Sequence, residues 1–186
     1  HFAGFACDLK KIYKLFKFYK FKIIEDASHA IGAKYRSSKI GSCKYSDITV
    51  FSFHPVKIIT TGEGGAATTN SKSIYEKLNM LKTHGITRNK KFLINKKNPK
   101  WYYEMLKLGY NYKMSDIQAS LGISQLKNIH KWLKYRELLV KKYNKSLSDL
   151  PIITPEFPRH LKSANHLYVI QLKKKQKKNY SKFFVF

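Results

Sequence analysis

Apolar residues at Leu9, Ile12, Leu15, Phe16 and Tyr19 recur at helical spacing and predict a helix from Asp8 to Tyr19, with Asp8 as its N-cap. Phe21–Asp26 is a short apolar run closing on acidic residues, and Asp47–Phe53 is rich in β-formers. Both predict strands, with Lys39–Ser46 as a loop between them. Thr60–Gly65 is a glycine-rich loop, and Ala66–Asn70 predicts another short strand. Ser71 predicts the cap of a helix reaching about Thr83, with Ile74, Leu78 and Leu81 on one face.

Arg88–Lys100 is polar, lysine-rich and without period, which predicts a mobile loop. Ser115 and Asp116 open an amphipathic helix through Ile117, Leu121, Leu126 and Ile129, and a further helix is expected over Lys131–Leu147. Pro151, Pro155 and Pro158 mark a break, giving one expected unit over 1–150 and the start of a second over 151–186. Asn165–Leu172 predicts a strand of that second unit, and Lys173–Lys178 a solvated charge run. Strands alternating with helices predict an α/β architecture with a mostly parallel sheet.

The formal charge of +26 on 186 residues raises nucleic-acid binding as a hypothesis. Only four of the 37 basic residues are arginine: Arg36, Arg88, Arg136 and Arg159. Arginine forks onto phosphates and guanine edges, whereas these lysines are scattered among Ile, Asn, Tyr and Phe. That scatter fits a general lysine bias better than a nucleic-acid site. No apolar run reaches the roughly 18 residues of a membrane span. Cys7 and Cys43 are neither metal-spaced nor numerous enough for a disulfide scaffold, so a reducing cytoplasm is the expected compartment. His1–Cys7 has neither an initiator Met nor a signal-peptide layout, and reads as an interior stretch of a longer protein.

In open parallel sheets ligands sit at the carboxyl ends of strands. Asp26 and Lys57 fall at two such ends. A lysine and a carboxylate there suit pyridoxal phosphate, whose aldehyde bonds an amine and whose ring nitrogen needs an acidic partner. Ser52, Thr60 and the Gly62–Gly65 turn offer small donors to a phosphate. The same pair also reads as an ordinary surface ion pair.

Three blocks bear on that choice. Ile24–Ala30, Phe51–Lys57 with Thr61–Ala66, and Gly109–Ala119 resemble, in order, the DegT/DnrJ/EryC1/StrS aminotransferases. The resemblance runs from His1 to about Leu172. It implies a pyridoxal-phosphate-dependent transferase of fold type I, like aspartate aminotransferase, here as a partial large domain plus the start of the small C-terminal domain. It implies Lys57 as the lysine bonded to the cofactor and proton carrier, Asp26 as partner of the ring nitrogen, and His29 near the phenolic oxygen. It also implies Ser52 at the phosphate and Asn111 reaching the other subunit's cofactor in a homodimer.

The substrates so implied are a UDP-linked keto-sugar and glutamate. Other nucleotide keto-sugars, or an inactive fragment with a basic surface, remain open. His54, between ligand contact and packing, and Arg88, between a diphosphate contact and a plain surface role, are evenly balanced candidates; Trp101–Tyr103 could stack on a base, but such a cluster is more often core or dimer interface. Lys113 stands where the family commonly has Arg, keeping charge but losing the fork.

Overall fold

The computed structural model describes residues 1–95, 97, 99, 101–158 and 160–173. Strands are β1 Ile24–Asp26, β2 Lys34–Tyr35, β3 Ser38–Lys39, β4 Ile48–Ser52 and β5 Gly65–Thr68, then β6 Ile86–Thr87, β7 Glu104–Met105, β8 Ile152–Ile153, β9 Leu161–Lys162 and β10 Gln171–Leu172. Helices are α1 Leu9–Tyr19, α2 Lys72–Leu81 and α3 Asp116–Ser146. The basic tail beyond Lys173 lies outside the described residues, as do Arg159 and positions 96, 98 and 100 of the expected loop.

The central sheet has the order β1-β4-β5. β1 and β4 run parallel, with Asp26 opposite Val50, and β5 returns antiparallel with Gly65 opposite Ser52. A buried cluster of Leu9, Ala27, Ala30, Ala33, Tyr35, Ile40, Phe51, Ile58 and Ile59 joins this sheet to α1 and to the loop after β4. Ile129, Trp132 and Leu133 of α3 pack against the cluster.

The local signals act as expected at the helix starts. The Asp8 carboxylate accepts from Lys11 N, Ser71 Oγ accepts from Ile74 N, and Ser115 with Gln118 forms a capping box. Several expectations change. The expected mostly parallel sheet is mixed: among the described residues β1 and β4 are the one parallel pair, because β5 folds back on β4 after the Phe53–Gly64 loop. The two helices expected over Ser115–Leu147 are one of 31 residues, because nothing between Ile129 and Lys131 breaks the helical ladder. The strand expected over Phe21–Asp26 shortens to Ile24–Asp26, since Lys20 turns left-handed and Ile23 N is held by the Asp47 carboxylate.

The strand expected over Asn165–Leu172 survives only as β10. Asn165 has φ +50, and its amide and carbonyl go to Ser163 Oγ and Arg136 rather than to a ladder. The segment after the prolines pairs β9 with β2, antiparallel. The loop after Arg88 is irregular as expected, but it is pinned: the Glu104 carboxylate accepts from Ile94 N (2.7 Å) and Asn95 N (3.0 Å), and Leu93 is buried.

Candidate active site

β1 and β4 end side by side, and the candidate side chains cluster at their carboxyl ends. Asp26 is the last residue of β1 and Ser52 the last of β4. Beyond β1 the chain turns tightly, with Ala30 N bonded to Ala27 O and Ala33 N to Ala30 O. The three alanines are almost wholly buried. Their small side chains let the turn settle on the core and hold Ser28 and His29 at its outer side. Asp26 Oδ1 accepts from Ser28 N at 3.0 Å. Hydrogen bonds from Ser28 hold the Asp26 carboxyl below its ordinary value against slight burial, with His29 and His1 adding in the same direction.

Lys57 sits on a loop closed at its base. Phe53 N bonds Gly64 O, while Thr61 N and Thr60 Oγ1 both donate to Phe53 O. Ile58 and Ile59, immediately after Lys57, are buried and fasten the loop to the core. The N-terminal part of α3 grips its far side through Gln118 Nε2 to Glu63 O (3.0 Å). Gly64 has φ +153, and a Cβ there would collide with Thr61 Oγ1. Among the described residues no hydrogen bond or ion pair occupies Lys57 Nζ.

Electrostatics tie the two strand ends together. Burial first, then the Lys57 charge, lowers the pKa of His29, while Asp26 opposes. Lys57 and Asp26 therefore both act on one imidazole. Its Nδ1 accepts from Ala3 N at 3.2 Å. Ser52, half-buried, accepts weakly from His54 N at 3.4 Å. Asp26, His29, Ser52 and Lys57 thus share one end of the sheet. A free amine, a low-pKa carboxylate, an imidazole and a hydroxyl are a donor set that fits pyridoxal phosphate.

Asn111 is placed differently. It is exposed and bridges Thr83, and its two neighbours in the chain, Tyr110 and Tyr112, stack their rings on each other (4.9 Å). Among the described residues no hydrogen bond joins it to Asp26 or Lys57. His54 is used within its own loop, accepting from Val56 N and standing 3.8 Å from the Glu63 carboxylate. Arg88 lies over the Tyr103 ring, 5.8 Å from its centroid, and Trp101 is exposed beside Tyr102. Two open grooves, of 360 and 510 Å³, flank β6 and β7. Neither includes Asp26, His29, Ser52 or Lys57, and the side-chain chemistry outweighs groove size in locating the site.

Sequence reasoning missed His166 and Arg136. The His166 ring lies 4.5 Å from that of His29, and Arg136 Nη1 donates to Asn165 O and His166 O. Burial first, then the charges of His29, Arg136 and Lys57, lowers the His166 pKa to about 4. The sequence marked His166 only as part of the strand expected over Asn165–Leu172, and no motif or spacing singled out either side chain.

Comparisons with known proteins bear on this arrangement. A transaminase of Campylobacter jejuni, named for UDP-4-amino-4,6-dideoxy-N-acetyl-beta-L-altrosamine, is 40% identical over 172 residues, covering 92% of this chain and 43% of its own length. The Helicobacter pylori aminotransferase PseC, described as involved in the biosynthesis of pseudoaminic acid, superposes with a TM-score of 0.83 at 34% identity, over 94% of this chain and 44% of that one. The PLP-form of the sugar aminotransferase Spr1654 from Streptococcus pneumoniae gives a TM-score of 0.79 at 28% identity, over 93% and 46%. The chain therefore spans less than half the length of these relatives. The fold is that of the fold type I aminotransferases. The family model matches residues 1–185, and the chain belongs to the DegT/DnrJ/EryC1/StrS aminotransferase family.

Proposed function

We propose that the protein is a pyridoxal-phosphate-dependent aminotransferase that moves the amino group of glutamate to the 4-keto carbon of a UDP-linked 4-keto-6-deoxy-N-acetyl amino sugar. The observation carrying this reading is the convergence of Asp26, His29, Ser52 and Lys57 at the ends of two adjacent parallel strands, with Lys57 unpaired among the described residues. The choice of sugar is supported by the name of the Campylobacter relative. The working form in this reading is a cytoplasmic homodimer, with 1–150 belonging to the cofactor-binding domain and 151–186 beginning the smaller one.

Pyridoxal phosphate supplies, when bound, an aldehyde that bonds amines and a ring that takes up electrons as a proton leaves the neighbouring carbon. Lys57 Nζ would hold the aldehyde carbon at rest; once the donor amine has replaced it there, the freed amine would carry the proton away from the donor carbon, and in the sugar half-reaction it would carry a proton in the opposite sense. Asp26 would hold the ring nitrogen protonated, His29 would donate to the ring oxygen, and Ser52 would donate to the phosphate. Asn111, exposed and without a hydrogen bond to its own Lys57 among the described residues, would serve the phosphate held by the second subunit.

Borohydride reduction of the holoenzyme followed by peptide mass spectrometry tests this reading. A pyridoxyl label on Lys57 and amination of the UDP-keto-sugar with glutamate are expected. Label on another lysine, such as Lys39 or Lys44, overturns the site. Turnover of only a different nucleotide keto-sugar overturns the substrate, and a colourless, inert protein overturns the enzyme.

A further inference from the structure

Three segments far apart in sequence meet around the His29 ring. Ala3 N donates to His29 Nδ1 (3.2 Å), and Ala3 O accepts from His166 N (3.0 Å) and Leu167 N (3.3 Å). Ala3 has φ +58 and Gly4 φ +95. A Cβ on Gly4 would stand 2.9 Å from Asn165 N, 3.0 Å from His166 N and 3.1 Å from His29 O. The Ala3–Gly4 turn is thus squeezed between the two histidine segments and has no room for a side chain at Gly4. Gly4 O in turn accepts from Ala164 N and Ser163 Oγ. From the other side, Arg136 of α3 fastens the carbonyls of Asn165 and His166.

A backbone N–H can only donate, so His29 Nδ1 carries a lone pair and the proton of the neutral ring lies on Nε2. His166 covers one side of this ring at 4.5 Å and is itself 8% exposed, with its Nδ1 buried and unpartnered among the described residues. An imidazolium at either ring would lie against the other and near Lys57 and Arg136, with Asp26 acting in the opposite sense on His29.

We propose that His166 is a positioning residue: with its ring packed at a tilt against His29 and its backbone clamped to the Ala3–Gly4 turn, it holds His29 neutral with Nε2–H as a fixed donor toward the cofactor's ring oxygen. The direction toward the cofactor rests on the function proposed above; the clamp itself does not. Small shifts of the segment after α3 therefore reach the His29 donor both through the ring contact and through Ala3. The lowered pKa of both imidazoles agrees with a pair kept neutral by burial and neighbouring cations.

Nitrogen-15 NMR of the imidazoles in the cofactor-free protein, titrated from pH 5 to 9, reads the clamp directly. The wild type is expected to hold His29 as the Nε2–H form throughout the neutral range. His166→Ala is expected to mix the His29 tautomers and raise its midpoint toward the ordinary value of 6.5. His166→Phe keeps a ring over His29, and is expected to retain the single tautomer. Absorbance of bound pyridoxal phosphate against pH gives the second readout: its midpoint moves in His166→Ala and stays in His166→Phe. An unchanged His29 tautomer and midpoint in His166→Ala, or a charged His29 at pH 7 in the wild type, overturns the proposal. If the NMR behaves as expected while no pyridoxal phosphate binds, the clamp stands and its direction toward the cofactor falls with the proposed function.

Discussion

Glu25 and Asp26 are adjacent carboxylates with opposite fates, because side chains alternate across a strand. Asp26 turns outward to the site, whereas Glu25 is buried and paired with His1 Nε2 at 2.7 Å, with Ser46 and Thr49 also bonded to it. For Asp26 the expected outcome of Asp26→Asn is retained cofactor absorbance with turnover reduced by about 10²-fold or more, since a neutral amide cannot hold the ring-nitrogen proton. Steady-state kinetics checks it, and near-normal turnover would hand the role to another residue.

For Glu25 the expectation concerns stability. Burial opposes the charge on His1, but hydrogen bonds with Cys7 and Glu25 and the Glu25 charge outweigh it, raising its pKa to about 9. Burial likewise opposes ionised Glu25, and His1, Ser46 and Thr49 outweigh it, lowering its pKa. The raised histidine stabilises fully below pH 6.5 and loses its share as pH rises through about 9. The lowered carboxylate stabilises above pH 4.5 and loses its share as pH falls below that. Melting temperature should therefore peak between these limits. Glu25→Gln should flatten the alkaline limb, and Glu25→Ala should cost about 3 to 5 kcal/mol by stranding a buried partner. Asp26 and Lys57 were legible in the sequence because strand ends and a motif mark them. Glu25, His1 and His166 were not, because their partners are set by packing between distant segments.

At the scale of elements, α3 shows what periodicity reads and what it misses. Its start was legible from Ser115 and Asp116, and the structure adds Gln118, whose side chain closes the capping box with Ser115. Its continuity was not, because the apolar face shifts along its length: Gly122 is buried near the start, while Ile129, Trp132 and Leu133 take over further on. Nor could the pattern tell that Gly122 lies against the loop bearing Lys57. A Cβ there would meet Thr61 Cγ2 at 2.9 Å, and Thr61 is buried with its hydroxyl committed to Glu63 O at 2.7 Å. Glycine normally costs a helix about 1 kcal/mol relative to alanine. Here overpacking is the larger effect: Gly122→Val should lower stability by about 1 to 3 kcal/mol. Urea unfolding measures that cost. Because Thr61 N also closes the base of the loop on Phe53 O, the same variant should weaken labelling of Lys57 by the aldehyde. A stable variant with unchanged labelling would show that α3 and the loop are independent.

For the whole molecule, two opposing terms decide how residues 1–186 behave when expressed as such. One is apolar exposure. Phe18, Tyr19, Ile24, Leu108, Tyr110, Tyr112 and Ile117 each expose more than half of their surface, and β1 is an open edge of the central sheet among the described residues. Exposed edges and apolar patches favour association. The other term is the net charge of +26, spread along the chain, which makes copies repel one another. Repulsion between exposed charges acts over a screening length of about 8 Å at physiological ionic strength and about 3 Å at 1 M salt, whereas apolar attraction is not screened. Low salt should therefore keep the chain dispersed, and added salt should drive it together. Size-exclusion chromatography with light scattering from 0.05 to 1 M sodium chloride, at one protein concentration, follows the balance. A mean mass that rises with salt is the expected result; under the function proposed above, in which Asn111 serves a second subunit's site, weak uptake of pyridoxal phosphate should accompany it. Replacing Ile117 and Leu108 by Asn should lower the salt-induced mass, since both side chains are exposed and apolar. A mass that falls as salt rises would mean that charge contacts, not these apolar faces, hold the copies together.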